Sequence, residues 1–161
     1  TRIKTGCGLP QLTAIIECSN EQDIPIIADG GIRCPGDAAK SLAAGANLIM
    51  IGGMLAGTDC TPNWREGTSN WLNYRGMASR EAKVDSFKAD EYIEGASFNV
   101  PALEKGSTER VIKDMCDGIR SSMSYVGAKY LYEFTQKAEF IKVSQNVIQE
   151  NNAHFTSNIY A

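Results

Sequence analysis

The feature that most constrains the fold is a pair of glycine turns separated by one short helix. Ala28-Asp29-Gly30-Gly31 follows the apolar run Ile24-Pro25-Ile26-Ile27, and Gly52-Gly53 follows Leu48-Ile49-Met50-Ile51. Between them, Pro35-Gly36-Asp37-Ala38-Ala39-Lys40-Ser41-Leu42-Ala43-Ala44-Gly45 opens with helix-starting residues, continues in strong helix formers and stops at a glycine. The whole reads as one βαβ crossover. Its strands are continuous apolar runs instead of alternating ones, which is what a parallel sheet covered on both faces requires. A glycine turn at the C-terminal end of such a strand lets backbone N–H groups approach an anion that a side chain would block. In barrels of eight βα units, phosphate groups commonly sit on the loops after strands seven and eight. These turns read as that pair, with a phosphorylated small molecule as ligand. The plainer reading is that both are tight connections of any parallel α/β domain.

The 161 residues are 43% hydrophobic and 22% charged, an ordinary globular composition with material for one core. A net charge of −3, with Lys and Arg scattered along the chain, leaves no electrostatic footprint for nucleic acid. No run approaches the roughly 18 to 20 apolar residues of a membrane span, and the first residues carry no charged-then-apolar leader pattern. The expectation is a cytoplasmic protein with neither nucleic acid nor membrane as partner. Cys7, Cys18, Cys34, Cys60 and Cys116 are odd in number and form no C-x-x-C pair, so reduced thiols are expected. With His154 the only histidine, a Cys/His metal cluster and a triad centred on His both fall away. Acid and base work is left to Glu, Asp, Thr, Tyr, Arg or Cys.

Residues 1–9 read as a glycine-bearing loop, and Pro10 opens a helix through about Cys18. Two buried parallel strands cannot close a barrel, so the chain is expected to be part of a longer polypeptide. Residues 54–105 break the α/β rhythm with Gly57, Pro62, Gly67, Gly76, Gly95 and Pro101 among polar residues, a loop-rich insertion of the kind that forms lids. A helix resumes after Ser107, a good N-cap, with Val111, Ile112, Met115, Cys116, Ile119 and Met123 at helical spacing. It ends near Ser121-Ser122-Met123-Ser124-Tyr125-Val126-Gly127. Residues 1–145 are thus read as one unit carrying the insertion, and residues 146–161 as a tail.

Taken together and in order, Thr1-Arg2-Ile3-Lys4-Thr5-Gly6, Gly8-Leu9-Pro10-Gln11, Ala28-Asp29-Gly30-Gly31, Ile51-Gly52-Gly53-Met54-Leu55-Ala56-Gly57, Tyr74-Arg75-Gly76-Met77 and Gly118-Ile119-Arg120-Ser121 through Gly127 resemble the IMP dehydrogenase and GMP reductase family. The resemblance runs from residue 1 to about residue 143. It implies an α/β fold, a (β/α)8 TIM barrel assembling as a homotetramer. The chain would hold its C-terminal portion: the last helix of unit six, unit seven, and unit eight with its flap. It also implies roles. Asp29 would accept the ribose hydroxyls of a purine nucleotide, a carboxylate being able to take both donors of a diol. Gly30, Gly31, Gly52 and Gly53 would present backbone to the phosphate. Arg75, Gly76, Met77 and Ala78 would line the base, and Glu94 would accept the N–H protons of the purine edge. Read from the residues alone, Asp29 could instead cap the next helix, and Glu94 could be a solvated carboxylate.

In that family a cysteine thiolate adds to C2 of the purine, and hydride moves between that carbon and a nicotinamide. The matching cysteine position falls two residues before Thr1. Thr1 matches the threonine that works with the acid in proton transfer, and Arg2 matches a residue whose backbone carbonyl helps hold a potassium ion. Met77, Ser121, Ser122 and Ser124 match positions that contact the dinucleotide. The chain has no G-x-G-x-x-G after a strand, so the cofactor would not bind in the Rossmann manner. The resemblance implies that dehydrogenases hydrolyse their intermediate with an adjacent Arg-Tyr pair on a longer flap. Residues 78–93 hold Arg80 and Tyr92 apart, and Thr1 through Gly6 and Cys34-Pro35-Gly36-Asp37 look like the reductase versions. The expected activity is therefore GMP reductase, which takes GMP and NADPH to IMP and ammonia. IMP dehydrogenase with NAD is the alternative, supported by the spelling Tyr74-Arg75-Gly76-Met77. Readings from other classes are a purine-nucleotide or phosphate-binding module without turnover and an unrelated flavin-dependent barrel.

Overall fold

The computed structural model describes residues 2–21, 24–61, 70–87, 92–95, 97–102, 105–144 and 147. The stretch read as a loop at residues 1–9 holds one helical turn, α1 (Arg2–Thr5), and the expected rhythm follows it: α2 (Gln11–Glu21), β1 (Ile27–Asp29), α3 (Pro35–Ala43) and β2 (Leu48–Met50). β1 and β2 are parallel, pairing Ile27 with Leu48, Ala28 with Ile49 and Asp29 with Met50. Proline at the start of α3 supplies a fixed φ where no amide partner is needed, and the helix ends at Ala44 ahead of Gly45. Gly45 has φ +110°, and a Cβ there would lie 2.5 Å from Ser19 Oγ. That close approach lets the Ser19 hydroxyl donate to the Ala44 carbonyl at 3.1 Å, joining α2 to the end of α3.

The described residues of this chain cover one face of the sheet. Ala28 is buried and Ile49 is the shared contact of three apolar clusters formed with α2, α3, α5 and α6. On the opposite face, Ile27, Leu48 and Met50 are 50%, 58% and 50% exposed. The alternation is that of any strand, with successive side chains on opposite faces. All the described helices that pack on this sheet use the Ala28 and Ile49 side.

The stretch read as loop-rich contains a folded hairpin. β3 (Trp71–Arg75) and β4 (Ser97–Pro101) pair antiparallel, with Tyr74 opposite Phe98 and Arg75 opposite Ser97. The Tyr74 and Phe98 rings meet at 5.1 Å between centroids, a cross-strand aromatic pair of the kind that stabilises a ladder. Between the strands lies α4 (Arg80–Asp85), capped by the Ser79 hydroxyl, which accepts from the Ala82 N–H at 3.3 Å. α5 (Thr108–Tyr125) begins as its sequence predicts, with Ser107 Oγ accepting from Arg110 N–H. Gly118 places α5 hard against Pro35 of α3, since a Cβ there would collide with the proline ring. α6 (Leu131–Lys137) then buries Phe134 against Leu42 and Ala43 of α3. Among the described residues, no helix is long and apolar enough to cross a membrane.

Candidate active site

β1 ends at Asp29, whose side chain is exposed beside Gly30 and Gly31. The Asp29 carbonyl accepts from Gln11 Nε2 at 3.0 Å, while its carboxylate makes no hydrogen bond or ion pair among the described residues. It does not cap α3. The N-cap of that helix is Cys34 without a side-chain bond, and Asp37 is the carboxylate that serves the turn, accepting from Arg33 N–H at 3.1 Å. Gly30 and Gly31 have φ of +104° and +78°, the left-handed region that a side chain makes costly. A Cβ at Gly30 would meet nothing, so the need for glycine there is conformational and the backbone lies open to solvent. A cleft of about 130 Å³ adjoins this turn, lined by Gln11, Gly30, Gly31, Lys40 and Ser41.

The second turn is wound more tightly. The Gly52 carbonyl accepts from Leu55 N–H at 2.9 Å and Ala56 N–H at 3.2 Å, whereas the amides of Gly53 and Met54 donate to nothing among the described residues. Unused N–H groups at the head of a turn are what an anion requires. Tyr74 reaches this turn from β3: a Cβ on Gly52 would lie 2.5 Å from its hydroxyl oxygen. Gly52, Thr58, Cys60, Tyr74 and Thr108 line a cavity of about 200 Å³. Lys105 arrives from the far side of the hairpin, its ammonium donating to the Gly53 carbonyl at 2.5 Å. Sequence reasoning gave neither Tyr74 nor Lys105 a role. For Tyr74 the signal was its place directly before Arg75-Gly76-Met77; for Lys105 there was none.

The floor of this region is pinned by Asp59, which accepts from the N–H and the hydroxyl of Thr108, each at 2.8 Å. Those donors, the N–H first, hold the Asp59 carboxyl below its ordinary value. The Thr108 hydroxyl also bonds that of Thr58, which is fully buried.

The hairpin brings the expected base-lining residues and the acid together. Arg75 ends β3 and pairs with Asp85 at 2.5 Å. Gly76, Met77 and Ala78 form the turn into α4, with Met77 84% exposed. Gly95 N–H donates to the Ala78 carbonyl at 2.9 Å, and a Cβ on Gly95 would lie 2.6 Å from both Ala78 C and Ser79 N. This close backbone contact sets the half-buried Glu94 beside the Arg75–Ala78 turn. α4 is tied into the same unit through Glu81, whose carboxyl is lowered by its own backbone N–H and then by the Ser97 hydroxyl, and through Lys83, whose ammonium donates to the Tyr92 carbonyl at 2.5 Å.

Ser121, Ser122 and Ser124 occupy the last turns of α5. The Ser122 hydroxyl donates to the Gly118 carbonyl at 3.0 Å and the Ser124 hydroxyl to the Ser121 carbonyl at 2.7 Å. Ser122 lines a cavity of about 290 Å³ with Gly36, Lys40, Tyr125, Phe134 and Phe140, on the helix side of the sheet, and Met77 is not among its walls. The Arg2 carbonyl accepts from Gly6 N–H at 2.8 Å; its guanidinium donates to the Leu9 carbonyl. Thr1 lies outside the described residues. Among the described residues, no group of three or more His, Cys, Asp or Glu could hold a metal ion.

A family model described as the IMP dehydrogenase / GMP reductase domain matches residues 1–154. An inosine-5'-monophosphate dehydrogenase of Nitrosopumilus maritimus is 41% identical over 96% of the chain and 36% of its own length. GMP reductase 1 of Mus musculus is 43% identical over 90% of the chain and 44% of its own length. Among solved structures, a cysteine-to-alanine variant of GMP reductase from Trypanosoma brucei, in complex with guanosine 5'-monophosphate, has a TM-score of 0.84 and 33% identity, covering 98% of this chain and 34% of that one. The chain thus spans between about a third and under half of the length of these relatives.

Proposed function

The chain belongs to the IMP dehydrogenase / GMP reductase domain family and forms a C-terminal portion of its barrel fold, and we propose that the protein carrying it is a GMP reductase. The reaction is the reductive deamination of GMP to IMP and ammonia through a purine linked at C2 to a cysteine that is not part of this chain. NADPH, when bound, supplies the hydride. The chain's own residues bind, orient and move protons. Asp29, with an uncommitted carboxylate, takes the ribose hydroxyls. Gly30, Gly31, Gly52 and Gly53 offer backbone to the phosphate, joined by the Tyr74 hydroxyl at Gly52. Arg75, Gly76, Met77 and Ala78 line the base. Glu94, with Thr1, passes the proton that the departing ammonia needs, a task for a positioned carboxyl group.

The residues present fit the two accessory groups in kind. Met77 exposes a polarizable thioether on the turn proposed to line the base, a group that packs favourably on an aromatic ring. Ser122 and Ser124, with hydroxyl hydrogens committed to helix carbonyls, would meet the rest of the dinucleotide through oxygen lone pairs, and Ser121 through its hydroxyl. The Arg2 carbonyl has given one of its two lone pairs to Gly6, which leaves one for a potassium ion. The proposal includes a homotetramer in the cytoplasm.

The observation that supports the reading is the closure of Gly95 onto Ala78, next to Glu94, across a connection that contains no adjacent Arg-Tyr pair. IMP dehydrogenase is the second reading, favoured by the 41% identity to the N. maritimus enzyme over nearly the whole chain. The deciding experiment uses full-length protein and the absorbance of reduced nicotinamide. Loss of absorbance with GMP and NADPH, accompanied by ammonia, supports the reductase. A rise with IMP and NAD refutes it in favour of the dehydrogenase, and nucleotide binding without either change leaves a binding module.

A further inference from the structure

Lys105 bonds the loop that opens at Gly52-Gly53 at two points, Gly53 and Gly57. Its backbone N–H donates to the Gly57 carbonyl at 3.3 Å and its ammonium to the Gly53 carbonyl at 2.5 Å. Other contacts hold the loop elsewhere: the Gly52 carbonyl accepts from Leu55 and Ala56 N–H, Asp59 N–H donates to Gly106 O at 3.0 Å, Thr58 and Gly106 form an isolated bridge, and Thr108 bonds Thr58. Among the described residues, the Lys105 ammonium is the only side-chain cation bonded to the turn itself.

The geometry of the amide gives that bond a consequence for ligand binding. The Gly53 carbonyl and the Met54 N–H belong to one rigid trans amide and point in opposite directions. Holding the carbonyl on Lys105 therefore fixes where the Met54 N–H points. The turn bonds from the Gly52 carbonyl to Leu55 and Ala56 N–H leave the tilt of this amide to Gly53, which has no side chain to limit its dihedrals and where a Cβ would meet nothing. A donor fixed in advance needs no reorganisation when the anion arrives. The ammonium also has two further protons and a full charge beside the turn.

We propose that Lys105 is a positioning residue for nucleotide phosphate, fixing the Gly53–Met54 amide and making phosphate affinity depend on the hairpin's return to the barrel. The inference rests on the reading of the Gly52-Gly53 turn as a phosphate site. The test is titration calorimetry of the full-length protein with GMP and with guanosine, which lacks the phosphate, for the parent, K105M and K105R. K105M should bind GMP about tenfold more weakly, the lower range for a hydrogen bond to a charged group, with guanosine unchanged. K105R, which keeps charge and donors, should recover to within about threefold of the parent. Turnover at saturating GMP should hold to within about twofold in both variants, because a ground-state positioning bond is lost in KM. K105M binding GMP as the parent does, or losing guanosine equally, overturns the assignment of Lys105 while leaving the phosphate turn standing. A parent that binds guanosine as tightly as GMP overturns the phosphate turn and this inference together.

Discussion

Replacing Gly95 with alanine inserts one methyl group between the loop that carries Glu94 and the turn proposed to line the purine. The new Cβ would lie 2.6 Å from Ala78 C and Ser79 N and 3.0 Å from Ala78 O, where ordinary contact begins at 3.4 Å. The loop must therefore retreat by roughly 0.8 Å, the difference of those limits, because tight carbon contacts are repulsive and not compressible. The other side is not free to yield. Ser79 is 1% exposed and its hydroxyl caps α4. A retreat of that size stretches the 2.9 Å bond from Gly95 N–H to Ala78 O beyond hydrogen-bonding range. Displacing a catalytic group by about 1 Å costs on the order of 100-fold in rate, or about 2.7 kcal/mol of barrier. Steady-state kinetics of full-length G95A with GMP and NADPH should show kcat down by that factor, with the circular dichroism of the parent retained. Activity within threefold of the parent would show that the position of Glu94 does not set the rate.

Asp29→Ala should weaken GMP binding about 10- to 100-fold, the range for a charge-assisted hydrogen bond; calorimetry showing parental affinity would remove Asp29 from the ribose site. Gly118→Ala forces a methyl group against Pro35, and overpacking of this kind costs about 1–3 kcal/mol, more than the roughly 1 kcal/mol that alanine returns as a helix former. A lower Tm is expected, and an unchanged one would show that α5 slides on α3 without loss. The Asp59 carboxyl lies below its ordinary value of 3.8 in the fold, so the folded state binds its proton less readily than the unfolded state does. Its contribution is present above 3.8 and disappears as pH falls through the lowered value. Denaturant titrations across that acid range should show a shallower loss of stability for Asp59→Asn than for the parent. Part of the slope will persist, since Glu81, Asp117 and Glu133 are lowered as well; identical slopes would refute the Thr108 clamp.

The crossover from β1 to β2 was legible because its determinants are local: a proline start, a run of helix formers, a glycine stop and two apolar runs. The hairpin was not. Trp71-Leu72-Asn73-Tyr74-Arg75 and Ser97-Phe98-Asn99-Val100-Pro101 are only five residues each and lie 21 residues apart, and what holds them is a pairing across the chain, Tyr74 on Phe98, that no local window contains. The same distinction runs through the candidate site. Asp29 and the glycine turns announce themselves by turn chemistry at strand ends. Tyr74 comes to Gly52 from another sheet, and Lys105 contacts Gly53 across 52 residues. Glu94 was proposed from family resemblance; the reason it can sit where it does is a steric fact about its neighbour Gly95, visible only once Ala78 and Ser79 are in place. The uncovered sheet face has a similar origin, since an apolar run states that a strand can be buried on both sides and not what buries it.

That uncovered face sets terms for anyone wishing to transplant the two turns. A two-stranded sheet is marginal in water, and this one presents Ile27, Leu48 and Met50 on its open side with both strand edges unpaired among the described residues. A graft of residues 24–61 would carry every backbone donor of the turns and little of their stiffness. The recipient scaffold must bring an apolar surface against those three side chains and a strand along each edge before the donors hold still enough to recognise anything.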